Sequence, residues 1–466
     1  MSHRQPSRDD STTSASRVDM SAFVNARLVR PAQAFMAKEA AGGMVIVLGA
    51  LIAFVWANSP WHESYFDLWN AEVSLEVGGI GLHNIHTLGH LVNDGLMAIF
   101  FFMVGLEIKR EMLHGELAGF RKAALPVMAA LGGMIVPALI FTSMNAGGDG
   151  SKGWGIPMAT DIAFAVGVLA LLGNRAPFPL KIFLLALAVA DDLGAIAVIA
   201  VFYTESLSLE AVAYAALFLG ILLTFRQLGL RRVDVYVMLG FLFWAAVLAS
   251  GIHATIAGVV LAFLTPASSL QPVERFRAEA NNLLGRFDPN RHDAEAEQVL
   301  LQEFESAVRR SEAPLERLER MIQTWVAFAV VPIFAIANAG VHITGDMFDA
   351  AVQSPVTYGV MIGLLFGKPI GIFLFSWVAV RTGLAALPRG VRYIHILGAG
   401  MVGGVGFTVS LFVTELAFDD PIITDEAKLG ILVGSLLAAV VGCLFLLAFV
   451  KPGPEMEPEP IAGGAQ

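Results

Sequence analysis

The chain has 466 residues, of which 56% are hydrophobic and only 15% are charged, and its mean hydropathy is +0.68. Soluble domains carry roughly 25% charged residues, so this composition leaves too little polar surface for a water-soluble globule and indicates an integral membrane protein. The net charge of -10 argues against nucleic-acid binding. The single cysteine, Cys443, excludes an intrachain disulfide and a cysteine-based metal site.

Apolar segments follow a polar N-terminal region, residues 1–40, that is predicted to be a disordered cytoplasmic tail. A helix needs about 20 residues to cross a ~30 Å hydrocarbon layer, so the pattern predicts an all-α membrane protein with twelve transmembrane helices. Helices 1 to 8 fall within residues 41–264, helices 9 to 12 fall within residues 321–450, and residues 451–466 form a second cytoplasmic tail. The segments are Gly42–Ala57, Leu88–Ile108, Ala123–Met144, Gly153–Gly173, Phe178–Thr204, Leu209–Phe225, Val233–Ser250, Gly251–Leu264, Met321–Gly340, Val356–Val380, Ile394–Phe418 and Ala427–Val450.

The division of Val233–Leu264 decides the topology of everything that follows it. This stretch is either one long helix or two short helices that meet at Ser250. Cytoplasmic loops of membrane proteins carry an excess of Lys and Arg. With two helices and an internal N-terminus, the cytoplasmic side holds all 30 basic residues except Lys152, Lys428 and Lys368. The charge bias therefore predicts two helices here and both termini in the cytoplasm.

Two connections are long. The outer one, residues 58–87, alternates apolar and polar residues around Gly78-Gly79, a pattern typical of a β-hairpin. A hairpin alone is only marginally stable in water, so pairing in a homodimer is one way to stabilise it, and a plain periplasmic surface loop is the other interpretation. The inner connection, residues 265–320, is charged and predicted to be a partly helical cytoplasmic loop with little sign of a packed domain.

Several charged residues fall within the apolar segments, where a single Asp or Lys costs roughly 2.5 to 3.5 kcal/mol at the centre of a helix. They are Asp94, Glu107, Asp161, Asp191, Asp192 and Lys368. Counting residues along the segments places Asp161, Asp191 and Lys368 near the bilayer midplane. Charge pairs that only hold helices together explain one acid and one base, but they do not explain three acids beside a single base at one depth.

Asp191 and Asp192 are neighbours on one predicted helix, so their side chains point about 100° apart. They cannot both face one cavity. One of the two carboxylates is therefore predicted to line an ion path, and the other is predicted to meet a neighbouring helix with Lys368 as its partner.

Glycine and proline interrupt two of the segments. Residues 153–161 combine Gly and Pro just before Asp161, and residues 398–406 place five glycines in the middle of a later segment. Both patterns predict unwound, broken helices, and their matching positions in spans 3 to 5 and 10 to 12 predict inverted-topology repeats in which the breaks cross. Asp161 is expected to offset the positive N-termini of the half-helices, and Lys368 the negative C-termini.

These residues resemble the bacterial NhaA-type sodium/proton antiporter family. The resemblance extends from about Ala41 to Val450 and rests on motifs in a fixed order: Val92–Ala98, Val104–Glu111, Ala159–Ala165, Leu187–Gly194, Gly251–Gly258, Phe334–Gly340, Phe366–Pro369 and Gly404–Ser410. It implies a secondary transporter that exports sodium in exchange for protons, is electrogenic and pH-regulated, and works by alternating access. No enzymatic activity, catalytic residue or cofactor is expected.

The resemblance also implies roles for individual residues. Asp192 is implied to be the main sodium and proton carboxylate, Asp191 to work beside it and contact Lys368, and Asp161 with Thr160 to lie at the crossing of the broken helices. The implied partners are sodium or lithium ions, protons, the lipid bilayer and a second copy of the chain. The implied location is the bacterial inner membrane.

A pH-responsive region is implied at the inner end of the second span. It would contain Glu107, Arg110 and Glu111, together with Glu319 on the cytoplasmic face. The first three residues lie at i, i+3 and i+4 on one helical face, so a plain flanking salt bridge is the competing interpretation.

Two other classes of function also use acids in membrane helices. An intramembrane aspartyl protease needs two carboxyl groups that share a proton. Such enzymes carry a Gly-x-Gly-Asp signature, whereas Met158-Ala159-Thr160 precedes Asp161 here and Val189-Ala190 precedes Asp191. A cation channel is the other alternative, and broken helices in two matching triplets favour a moving carrier over a channel.

Overall fold

A computed structural model describes residues 30–450, apart from 74–75, 78–79, 82–85, 173–176, 205–206, 229–232, 270 and 287–293. The two predicted tails, up to residue 29 and from residue 451, lie outside the described residues, and so does the predicted turn at Gly78-Gly79. Apart from one short strand pair and an isolated bridge, the described part of the chain is built from helices and their connections, as its composition predicts.

The helices of the first half are separated by short connections. A 3₁₀ helix, Asp149–Met158, precedes α5. The α-helices are α1 Arg30–Ala57, α2 His62–Trp69, α3 Leu88–His114, α4 Phe120–Asn145, α5 Ile162–Leu171, α6 Phe178–Phe202, α7 Leu209–Gln227, α8 Val233–Ala249 and α9 Ala254–Leu264. The break between α8 and α9 contains Gly251, whose φ of 83° is open to glycine at little cost. The structure thus has the two helices that the charge bias predicts.

The second half begins with the long charged connection, residues 265–320, and then returns to long apolar helices. Its helices are α10 Val273–Arg286, α11 Ala294–Ser311, α12 Pro314–Asn338, α13 Gly345–Gln353, α14 Pro355–Arg381, α15 Tyr393–Gly403, α16 Phe407–Ala417 and α17 Pro421–Phe449. Three of the long helices contain a π-helical stretch: Leu91–Leu96 in α3, Val326–Val330 in α12 and Gly363–Gly367 in α14. Such stretches occur often at functional sites, and the one in α14 ends directly before Lys368.

Seven helices of the described residues are long and apolar enough to cross a membrane, and three further pairs of helices pass the same test together but are bent by more than 40°. The outer helices expose apolar side chains in rows. On α17, Leu436, Val440 and Leu444 are 62%, 47% and 60% exposed and lie four residues apart on one face. Large apolar surfaces of this kind are stable against lipid tails and not against water. The chain is a multi-pass membrane protein.

Two helices extend beyond the apolar segments that predict them. Helix α1 begins at Arg30, so residues 30–40, predicted as disordered tail, are helical. Helix α12 begins at Pro314, so Glu319 belongs to a helix and not to the predicted loop 265–320. Hydropathy marks the length of chain inside the hydrocarbon layer, whereas a helix can continue beyond it into the polar region.

The outer connection forms a two-stranded antiparallel pair, β1 Glu76–Val77 and β2 Ile80–Gly81, with Val77 opposite Ile80. A further bridge joins Glu72 and Thr87 in the same sense. Of the two interpretations of this connection, the structure therefore has the hairpin, and its strands form a sheet of only two members.

The inner connection is more ordered than its charge suggests. Helices α10 and α11 pack against each other through the buried side chains of Leu283, Leu300 and Ala307. Across this pair, Arg310 Nη2 lies 2.8 Å from Glu279 Oε1. A few apolar residues spaced along two charged helices are enough to form this small core between them.

Helices α4 and α14 approach each other at Gly132 and Gly371. A Cβ atom on Gly132 would contact the Gly371 backbone carbonyl and would lie 2.7 Å from the Cβ of Phe375. Small residues of this kind let membrane helices pack backbone against backbone. The contact joins the first helix of the predicted 3 to 5 triplet to the first helix of the 10 to 12 triplet.

We expect the Gly132→Ala substitution to destabilise the protein, because the added methyl group overlaps backbone atoms that cannot rotate away. Overpacking of this kind costs about 1 to 3 kcal/mol. The melting temperature of the purified protein in detergent measures the effect. Gly220→Ala on α7 is the matched control, since a Cβ there meets nothing within 4 Å. Equal melting temperatures for Gly132→Ala and Gly220→Ala would contradict the expectation.

Candidate ion-binding site

Two broken helices meet in the interior of the protein. The 3₁₀ helix and α5 are bent by 43° at residues 159–161, and α15 and α16 are bent by 51° at residues 404–406. The Asp161 amide donates a hydrogen bond of 2.7 Å to the Val405 carbonyl, and Thr160 Oγ1 donates one of 3.1 Å to the Gly403 carbonyl. Backbone groups released by each break therefore find partners in the other, as polar groups must where no water is present.

Asp161 stands at the N-termini of two half-helices. Its Oδ1 accepts a hydrogen bond of 3.0 Å from the Phe164 amide in the first turn of α5. Its Oδ2 accepts one of 3.2 Å from the Thr408 amide in the first turn of α16, and one of 2.6 Å from Thr408 Oγ1. The side chain is only 2% exposed. A negative charge at helix N-termini is favourable, and this geometry is the one that the sequence predicts for Asp161.

Lys368 joins the 3₁₀ helix and α6 to α14. Its Nζ donates a hydrogen bond of 2.8 Å to Asp191 Oδ2, and it donates another to the Met158 carbonyl. Met158 is the last residue of the 3₁₀ helix, so the ammonium lies at a helix C-terminus, where positive charge is favourable. Lys368 and Asp191 are 1% and 2% exposed, so this is a buried ion pair between α6 and α14.

Asp192 lies one residue further along α6 and is also buried. In the described part of the chain, the structure records no hydrogen bond to its carboxylate. The charged groups close enough to act on it are Asp191, Glu107, Lys368 and Asp161. This buried site therefore holds more acids than bases. Oδ1 of Asp191 also has no hydrogen-bond partner among the described residues, so oxygen atoms remain available near Asp192 for a small cation.

The four residues predicted for a pH-responsive region lie together where the C-terminal part of α3 meets α12. Arg110 Nη1 is 2.5 Å from Glu319 Oε1, and Arg110 Nη2 is 3.3 Å from Glu111 Oε1 and 3.9 Å from Glu107 Oε1. Glu107 is 3% exposed and Glu319 is 5% exposed. The contact with Glu319 links α3 to α12 and is therefore more than a local pair on one helix.

Thr408 and Tyr203 make contacts at or near the crossing, and the sequence motifs alone give neither residue a role. Thr408 lies in the motif Gly404–Ser410, and a hydroxyl directly after a glycine-rich break is the signal that points to it. Tyr203 carries no such signal, because its partners are backbone atoms of the 3₁₀ helix. Asp94 lies in the π-helical stretch of α3, where its backbone carbonyl accepts a hydrogen bond of 3.2 Å from Trp244 Nε1.

Many apolar spanning helices, a buried ion pair, further buried carboxylates and two broken helices that meet together define a secondary transporter. The chain belongs to the family described as Na+/H+ antiporter 1, whose model matches residues 33–446. This family consists of transporters and not enzymes, and nothing in the comparisons supports a protease or a channel.

Curated relatives cover nearly the same length. Na(+)/H(+) antiporter NhaA 2 of Syntrophotalea carbinolica is 45% identical over 90% of this chain and 97% of its own. Na(+)/H(+) antiporter NhaA of Rhodopirellula baltica is 44% identical over 92% and 96%, and that of Wolinella succinogenes is 47% identical over 88% and 92%.

Proposed function

We propose that this chain exports sodium ions across the bacterial inner membrane in exchange for protons, by alternating access. The observation that carries the proposal is the buried Asp192, which lies beside the Asp191–Lys368 ion pair. The names of the relatives, all Na(+)/H(+) antiporters, support the identity of the two ions. Lithium is a small hard cation that suits the same oxygen ligands, so it is proposed as a second substrate.

Competition for one carboxylate explains the exchange. Sodium prefers oxygen ligands, and a deprotonated Asp192 supplies both charge and oxygen, with Asp191 and backbone carbonyls of the breaks as further ligands. Protonation of Asp192 removes the charge that attracts the ion. Because one site serves both species, each leaves as the other enters.

The Asp191–Lys368 pair provides a second group that can take up or release a proton. If more than one proton enters for each sodium that leaves, net charge moves inward. The membrane potential then contributes about 2.3 kcal/mol per charge per 100 mV to sodium export. Exchange is therefore proposed to be electrogenic.

Vesicles that contain only this protein test the proposal directly. A pH gradient, acidic inside, is formed first, and sodium is then added outside. Sodium is expected to collapse the gradient, with saturation as its concentration rises, because a carrier holds one ion per cycle. A channel would instead give a sodium current that needs no proton movement. A gradient that survives saturating sodium would overturn the proposal.

Twelve spans in two inverted triplets are the topology that we propose for this transporter. The seven long helices, three bent pairs and the short helices α8 and α9 supply the elements. The triplets are α4, the 3₁₀ helix with α5, and α6, and then α14, α15 with α16, and α17, each with a broken middle member. The distribution of Lys and Arg supports cytoplasmic termini.

A homodimer that forms through the β-hairpin is also proposed, because the sheet has edges that can pair with a second copy. The sheet in the described residues has two strands, β1 and β2. An edge of a two-stranded pair offers backbone groups with which a further strand can pair. Two copies that join their hairpins edge to edge would form a four-stranded sheet, which is more stable than an isolated hairpin.

The cluster around Arg110 is proposed to regulate exchange by pH, and Glu319→Gln tests this role. The substitution removes one charge from a partly buried network, so the pH at which exchange switches on is expected to shift by roughly one unit, the equivalent of about 1.4 kcal/mol. The maximal rate should stay within about twofold. Exchange measured in vesicles between roughly pH 6 and pH 9, on either side of neutrality, reports the shift.

Glu303→Gln is the matched control, since Glu303 pairs with Arg286 at 2.8 Å on the exposed surface of α10 and α11. Its pH profile should equal that of the unsubstituted protein, because exposed pairs contribute little. If Glu319→Gln gave the same profile as Glu303→Gln, the cluster would be a plain flanking salt bridge.

A further inference from the structure

Tyr203 ties the carboxylate helix to the outer half of a broken span. It directly follows α6, the helix that carries Asp191 and Asp192, and it is 8% exposed. Its hydroxyl donates a hydrogen bond of 2.9 Å to the Lys152 carbonyl and accepts one of 3.2 Å from the Gly155 amide. Both of these backbone groups belong to the 3₁₀ helix Asp149–Met158.

The packing around this hydroxyl is tight. A Cβ atom at position 155 would lie 2.7 Å from the Tyr203 hydroxyl oxygen and 3.3 Å from its Cε2, so only glycine permits the approach. The ring of Trp154 stacks on Tyr203 with centroids 6.4 Å apart, and it meets Phe202 edge-on at 5.1 Å. Two aromatic residues at the end of α6 therefore enclose one turn of the 3₁₀ helix.

The same two elements are joined a second time, deeper in the protein. There Lys368 donates to Asp191 on α6 and to the Met158 carbonyl at the end of the 3₁₀ helix. This deeper connection depends on charges that change when a proton or a cation binds nearby. The Tyr203 connection uses a neutral hydroxyl and backbone groups, so it does not itself depend on the charge of the site.

We propose that Tyr203 is a positioning residue of the ion site. It holds the 3₁₀ helix at a fixed position against α6, and thereby keeps the Met158 carbonyl and the backbone before Asp161 in register with Asp191 and Asp192 while their charges change. The inference rests on the proposed function, since it assigns a role towards the same carboxylates. Tyr203 acts through the 3₁₀ helix, and it is not itself proposed as a ligand of sodium or a carrier of protons.

The Tyr203→Phe substitution removes the hydroxyl and keeps the ring. The buried Gly155 amide and the part-buried Lys152 carbonyl then lose a partner, which allows the 3₁₀ helix to shift. The sodium concentration at half-maximal exchange is expected to rise about tenfold, while the maximal rate stays within about twofold. Proteoliposomes assayed over a range of sodium concentrations give both values. Tyr214→Phe, at a site that is 52% exposed on α7, is the control and should change neither.

A role confined to folding would give a different result. It would lower the yield or the maximal rate of Tyr203→Phe and leave the half-maximal sodium concentration unchanged. That outcome would overturn the proposal, and so would kinetics equal to those of Tyr214→Phe.

A second pair of variants tests the contact itself. Gly155→Ala places a methyl group against the Tyr203 hydroxyl and should raise the half-maximal sodium concentration at least as much as Tyr203→Phe does. The double variant, Gly155→Ala with Tyr203→Phe, removes the oxygen that the methyl group overlaps. It should bind sodium better than Gly155→Ala alone. If the two effects instead add, the residues act independently and the proposal fails.

The Asp192→Asn variant separates this proposal from the proposed function. If Asp192→Asn is inactive and Tyr203→Phe has unchanged sodium affinity, the ion site stands and the role of Tyr203 is wrong. If Asp192→Asn retains exchange, the ion site itself is wrongly assigned, and the role of Tyr203 falls with it.

Discussion

The Asp192→Asn variant is expected to abolish sodium-driven proton movement in proteoliposomes. The amide has nearly the shape of the carboxyl group, but it carries no charge to attract a cation and takes up no proton near neutral pH. Removing one partner of a buried charge interaction costs about 2 to 5 kcal/mol, which corresponds to a loss of more than about 30-fold in ion affinity. Sodium added to vesicles with a preformed pH gradient measures the result.

Asp346→Asn provides the matched control for this experiment. Asp346 is exposed in the short helix α13, so the same chemical change there should leave exchange as it is in the unsubstituted protein. Retained exchange in the Asp192→Asn variant would show that another group carries the ions. The description of the fold would then still hold, but the role assigned to Asp192 would belong to another residue.

The Lys368→Met substitution is expected to be the most destabilising single change in the interior. It leaves the Asp191 carboxylate and the Met158 carbonyl buried without the ammonium that contacts both of them. Breaking a buried ion pair in this way costs about 3 to 5 kcal/mol. The melting temperature of the purified protein should fall clearly below that of the unsubstituted chain.

The double variant, Lys368→Met with Asp191→Leu, provides the internal control. Replacing both partners of a buried pair with apolar residues is often neutral or stabilising, so stability should recover. Exchange should not recover, because the second titratable group is gone. If Lys368→Met alone melted at the temperature of the unsubstituted protein, the pair would contribute nothing to stability.

Much of the membrane part of this fold can be predicted from sequence because the bilayer restricts the solutions. A span must be long, apolar and helical, so each apolar segment between Leu88 and Phe449 corresponds to a helix or a broken helix, although α12 begins well before its segment. The Gly and Pro clusters before Asp161 and Val405 predict the two breaks for a similar reason. No residue other than glycine or proline interrupts an apolar helix so readily.

The extent of the helices outside the membrane is less predictable. Hydropathy does not mark where α1 begins at Arg30 or where α12 begins at Pro314, because charged residues are compatible with both helix and loop in water. The packing of α10 on α11 depends on Leu283, Leu300 and Ala307. These three are too few to stand out in a charged stretch.

Some contacts of the ion site are also predictable from sequence, and others are not. Depth and helical angle predict that either Asp191 or Asp192 meets Lys368, and the structure pairs Lys368 with Asp191. The contact between Tyr203 and Gly155 joins residues 48 positions apart, and that between Thr408 and Asp161 joins residues 247 apart. Such contacts depend on how whole helices are placed in three dimensions, and local sequence carries no record of that placement.

The hydrogen bonds that link the two breaks restrict how the transporter can move. Pulling residues 159–161 away from residues 404–406 would strand the Asp161 amide, the Val405 carbonyl and the Thr160 hydroxyl in a medium without water, at several kcal/mol for each group. A translocation step that keeps them together avoids this cost. The two broken helices are therefore expected to move together as one rigid body. Bending and sliding would then occur where this body packs against the remaining helices.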